Sequence, residues 1–231
     1  MTFDPRNQSP FHALPPVAVA LAVAIAGVEA AFQLAQAGLL GGGREARLVA
    51  IRDWAVLDVV WEWMRATGAV PAREALRVLA YPFLHLGFGH AAMACVFVLA
   101  LGNVIGDVLR GWRLLALFLV PSTAGAVAYV VLFDAAAPLV GGYPGAYGMV
   151  GAFAWLVRQG MTRLPVDPSR GLVLLGFLLA IQPVFGVITG QGLSWVPGWA
   201  AEAVGAGTGW LLAGALLPGG GRRVLDRARR R

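Results

Sequence analysis

The chain has 231 residues, of which 58% are hydrophobic and only 13% charged, with a formal net charge of +6. A soluble domain carries about a quarter charged residues, so with a mean hydropathy of +0.71 the sequence excludes that class and reads as a multi-pass membrane protein. All 18 basic residues are arginine and they gather beside apolar segments, which makes them a topology signal; nucleic acid is not expected as a partner.

The opening MTFDPRNQSPFHALPP has no charged start followed by a short apolar core and no small-residue cleavage site, so no leader is expected to be removed. A bilayer core of about 30 Å needs about 20 helical residues, and six apolar stretches qualify, at 16–39, 88–106, 113–133, 141–157, 171–190 and 196–217. Between the first two lies a long segment, 41–87, with six arginines and five acids. Its LVAIRDWAVLDVVWEWM mixes tryptophans with Arg52, Asp53, Asp58 and Glu62, which suits an amphipathic helix, either lying in the membrane interface or packed on the spans. If the N-terminus is cytoplasmic, Arg6, Arg110, Arg113, Arg158, Arg163, Arg170 and the tail GRRVLDRARRR all lie inside, while 134–140 and 191–195 contain no arginine. Segment 41–87 is then outside, since long segments translocate largely regardless of charge. The expected organisation is a short cytoplasmic segment at 1–15, one membrane domain at 16–217 and a basic cytoplasmic tail at 218–231 that meets anionic lipid. The lone cysteine, Cys95, permits no intramolecular disulfide and reads as a packing residue.

Ionisable residues at membrane depth are expensive unless they face a cavity or each other, which makes them candidate site residues. The second, fourth and sixth spans run in the same direction, so His90, Tyr143, Pro144 and Glu202 share one level, the outer third. On the sixth span Glu202, Gly205 and Gly209 fall at i, i+3 and i+7, a spacing that lets helix backbones approach. The fourth span reads GGYPGAYGMVGAF, with small residues at 141, 145, 148 and 152. Glu202 is therefore expected to point toward the fourth span and to pair with His90. On the first span Glu29, Gln33 and Gln36 form a second polar stripe, expected to join helices.

REALRVLAYPFLHLGFGHAAMACVFVLALGNVIGDVLRGWRLL, GGYPGAYGMVGAF and AEAVGAGTGWLLAG together resemble the rhomboid intramembrane serine proteases, over roughly residues 73–217. The resemblance implies an all-α membrane protein, a six-transmembrane-helix bundle with an outer amphipathic loop segment. It also implies a serine in a Gly-x-Ser-Gly motif on the fourth span, a histidine on the sixth, and a His-x-x-x-Asn pair on the second that stabilises the oxyanion. Here that motif reads Gly142, Tyr143, Pro144, Gly145, so the serine position is Pro144 and the histidine position Glu202. His90 is retained, but the asparagine position is Ala94. Proline offers no nucleophilic oxygen, and alanine cannot donate to an oxyanion.

The resemblance with these departures implies a bacterial inner-membrane pseudoprotease that binds membrane lipids and transmembrane segments of client proteins. Its candidate client-binding cavity comprises His85, His90, Tyr143 and Glu202. The rival is an active serine endopeptidase with a displaced nucleophile, for which Ser194 in an outer loop is the candidate. A third reading, a carrier or proton channel built on Glu202 and His90, lacks an inverted repeat. His85, His90 and Glu202 show no metal-ligand spacing, so no metal or cofactor is expected.

Overall fold

The computed structural model describes residues 14–163, 166–190 and 192–217. Most of the expected N-terminal segment and the whole basic tail at 218–231 lie outside the described residues. Among the described residues the chain is all-α, with one isolated antiparallel bridge, Val56 to Leu139. In order, α1 (Pro16–Gln36) is followed by four short helices, α2 (Ala46–Trp54), α3 (Asp58–Thr67), α4 (Ala72–Ala75) and α5 (Arg77–Ala80). Five long ones then complete the bundle: α6 (Phe88–Ile105), α7 (Trp112–Leu132), α8 (Tyr143–Arg158), α9 (Arg170–Ile188) and α10 (Val196–Leu216).

Each stretch expected as a span coincides with one long helix to within a few residues. Four of them, α1, α6, α7 and α9, are long and apolar enough to cross a membrane, with mean hydropathies of 2.0, 1.9, 2.1 and 2.3. α8 has only 16 residues, and α10 is diluted by glycine, threonine, tryptophan and Glu202. Position in the bundle accounts for α8. α8 is central, touching α6, α7, α9 and α10, and 12 of its 16 residues are buried, so it has little lipid to match. α9 is its opposite: only Gly171 and Gly186 are buried, and its sequence is the most apolar.

Lipid removes most of the hydrophobic drive for helices to associate, so close packing and polar contacts must hold such a bundle. A Cβ added at Gly205 would overlap the Pro144 carbonyl oxygen, and one at Gly209 the Gly148 carbonyl oxygen. On the other side of α8, a Cβ at Gly145 would overlap Ser122, and one at Gly148 would overlap the ring of Pro121, both on α7. The small residues of the fourth span thus do not form one face for one partner. Gly145 and Gly148 admit α7, whereas Gly151, where a Cβ would overlap the Ala206 carbonyl oxygen, admits α10 together with Gly205 and Gly209 of α10 itself.

Pro183 inside α9 has no N–H for the carbonyl of Leu179, four residues back. The indole Nε1–H of Trp199 on α10 donates to that carbonyl at 2.8 Å, and the Tyr147 hydroxyl on α8 donates to the Leu178 carbonyl at 3.0 Å. The carbonyl released by the proline is answered from α10, as a low-dielectric setting requires, and the one beside it gains a bond from α8.

The outer segment departs from the expected single amphipathic helix, because it breaks into α2 and α3. The break lies where the buried Arg77 donates to the carbonyls of Arg52 and Ala55, both at 2.9 Å, and where Val56 pairs with Leu139. The segment is therefore anchored to the bundle, while Val59 and Trp63 on α3 remain exposed.

Candidate functional site

The site forms around the start of α8. Gly142 is its N-cap, Tyr143 its first residue and Pro144 its second. The first N–H groups of a helix have no intrahelical acceptor, so proline's missing N–H costs little there. Gly141 has φ +95, and a Cβ on it would lie 2.8 Å from Cε1 of His90, so both conformation and space call for glycine.

His85 precedes α6 and is 1% exposed. Its Nε2 accepts from the Gly142 N–H at 3.4 Å, which places its proton on Nδ1, facing the Phe83 carbonyl at 3.3 Å. The His85 carbonyl in turn accepts from Arg47 Nη1 at 2.5 Å. Burial, helped by the neighbouring His90, pushes the His85 pKa from 6.5 down to about 4. A depressed base is stabilising while neutral: that contribution is complete above the unfolded value of 6.5 and is lost as pH falls toward about 4. Thermal stability in detergent should drop across that window, and His85→Gln should flatten the drop. An identical pH profile for the variant would contradict the assignment.

His90 sits in the first turn of α6. Its ring stacks on Tyr143 with centroids 4.7 Å apart and planes at 12°, and it meets His85 edge-on at 5.1 Å. Its Nδ1 accepts from the Leu86 N–H at 3.2 Å, while the Tyr143 hydroxyl donates to the His90 carbonyl at 3.1 Å. Glu202 is engaged elsewhere. The expected His90–Glu202 pair is not formed: Oε2 of Glu202 accepts from Nε2 of Gln182 on α9, and the same nitrogen donates to the Tyr147 hydroxyl at 2.9 Å. Gln182 reaches the carboxylate because α9 lies against α8 and α10 on the side away from α6.

His90, Tyr143, Pro144 and Glu202 nevertheless line one cavity of about 220 Å³, together with Tyr129, Ser194 and Trp195. Of the other singled-out residues, His85 is not among the lining residues and Ala94 is fully buried in the core. Glu29 corrects a second expectation, since its main partner is on no other span. It accepts from Gln33 at 2.7 Å and from both terminal nitrogens of Arg47, in the outer segment, at 2.7 and 2.8 Å. Sequence reading missed Gln182 and Tyr147. The signal for Gln182 was present: it is the one side-chain amide in an otherwise apolar helix. Tyr147 follows Tyr143 by four residues and so shares its side of α8.

The family model for the Rhomboid domain matches residues 72–219, well over half of the chain. The chain belongs to the rhomboid family. No curated protein matches it. In this rhomboid, two positions that the family resemblance assigns to chemistry, Pro144 and Glu202, lie with His90 around a single cavity. The third, Ala94, one turn beyond His90, leaves no polar group where the resemblance places the oxyanion donor. Pro144 fills its position with packed ring: a Cβ on Gly125 of α7 would lie 2.7 Å from the Pro144 Cβ.

Proposed function

We propose that this rhomboid is a six-span, non-catalytic protein of a bacterial inner membrane that binds transmembrane helices of client proteins. The observation that carries the reading is Pro144, a buried residue with no nucleophilic atom, at the serine position in the second place of α8. Glu202, at the base position, is bound to Gln182, and a carboxylate there has no hydroxyl to activate. Purified protein should neither cleave rhomboid-type transmembrane substrates nor label with fluorophosphonates. Pro144→Ser combined with Glu202→His should remain inactive, because Ala94 supplies no oxyanion donor. A photoreactive residue at Tyr143 should crosslink to client helices in native membranes; adducts to lipid alone would overturn the binding role.

A second reading has one observation in its favour: Ser194 lines the same cavity as His90 and Glu202. It predicts cleavage that Ser194→Ala abolishes, and that result would replace the non-catalytic reading. In either case the arginine distribution supports cytoplasmic termini and an outer segment 41–87. In a Cys95→Ser background, a membrane-impermeant thiol reagent applied from outside should modify Ala69→Cys and spare Met161→Cys. The reverse pattern would invert the topology.

A further inference from the structure

The cavity at the start of α8 has an unusual chemical balance. Its ionisable lining residues are Glu202, His90 and two tyrosines, with no arginine among them. Its aromatic walls have already committed their polar ends. The Tyr129 hydroxyl donates to the Ala137 carbonyl at 2.6 Å, Tyr143 donates to the His90 carbonyl, and Trp195 Nε1 donates to the Gly192 carbonyl at 2.9 Å. His90 Nδ1 is taken up as an acceptor. That tautomer leaves an anionic guest the His90 Nε2–H as a ring donor, but no arginine. A cationic one would find a carboxylate beside π-rich surface, the combination that recognises ammonium groups.

We infer that this cavity binds an ammonium group, held by the Glu202 carboxylate and the rings of Tyr129, Tyr143 and Trp195. The inference rests on the non-catalytic reading of the same site and specifies the chemistry of its guest. Two sources supply such a group at this depth: a lysine in the outer third of a client helix, or the headgroup of a zwitterionic lipid. Gln182 and Tyr147 serve as positioning residues, holding the carboxylate on the side of α9.

Choline and its neutral isostere 3,3-dimethylbutanol separate charge recognition from shape, with the full chain in detergent and thermal unfolding as the readout. Choline should raise the midpoint in a saturable manner and dimethylbutanol should not. Glu202→Gln or, if that variant does not fold, Trp195→Leu should weaken choline binding roughly tenfold. Equal shifts with both compounds, or none with either, would overturn the inference. The sources divide in a second arm, in nanodiscs. Tighter capture of a transmembrane peptide with an outer lysine than of its norleucine analogue assigns the cation to clients. Protection by phosphatidylcholine over phosphatidylglycerol, with no peptide bound, assigns it to lipid and removes the client-binding role while leaving the cation site standing. Peptides captured equally with lysine or norleucine, and no choline effect, sink the cation site and leave client binding intact.

Discussion

Gly209→Ala should destabilise the bundle by about 3 kcal/mol, near the upper end for overpacking, and Gly209→Leu should prevent folded protein from accumulating. A Cβ at this position overlaps the Gly148 carbonyl oxygen of α8. A long side chain in the way could rotate aside; a backbone oxygen in the middle of a helix cannot move without shifting the helix. The α8–α10 crossing, at the centre of the fold, would have to open, and the start of α8 would move with it. Gly207, two residues earlier on the same helix, has nothing within 4 Å of an added Cβ. Gly207→Ala should therefore stay within about 0.5 kcal/mol of the parent. Unfolding in mixed detergent micelles, followed by helical circular dichroism, compares the two. Equal losses at 207 and 209 would show that general helix effects, and not the crossing, explain the glycines.

Arg47→Ala should cost about 3–5 kcal/mol, the range for breaking a buried ion pair from one side. Glu29 is 4% exposed, and the guanidinium contacts both of its carboxylate oxygens as well as the His85 carbonyl. Removing the arginine strands a charge in the upper part of α1 and releases the loop that carries His85. Through the His85–Gly142 contact, the disturbance reaches the N-cap of α8. Converting both partners, as Glu29→Gln with Arg47→Met, should lose clearly less than the sum of the single changes, because no charge is left without a partner. Additive losses in that cycle would show that the pair is not coupled.

The second effect concerns residues whose type was conspicuous in the sequence but whose partners were not. Glu29 in the first span and Arg47 in a charged segment lie 18 residues apart, and no periodicity joins a span to the loop after it. The same limit applied to Glu202. Its place beside His90 in one cavity and the close approach of Gly205 and Gly209 to α8 followed from helix phase and topology, and the structure has them there. Its partner did not follow, since level says nothing about direction around the axis. His90 and Gln182 were both available at similar depth, and the lateral placement of α9 against α8 and α10 decided between them.

The sequence by itself determined the all-helical membrane class, the six long helices and their boundaries, the family, and the loss of serine, histidine and asparagine at the positions the resemblance assigns to chemistry. These are local properties: apolar run length, glycine spacing and residue identity within a motif. Only the tertiary structure decided that α8 is short because it is buried, that its glycines divide between α7 and α10, and that Trp199 answers the carbonyl Pro183 leaves open. It also decided that Glu202 and His90 share a cavity without a bond between them. The physical reason is common to all four. Helices in lipid are held by close packing and scattered polar contacts, and which side chain meets which depends on the order of helices around α8, which no single helix encodes.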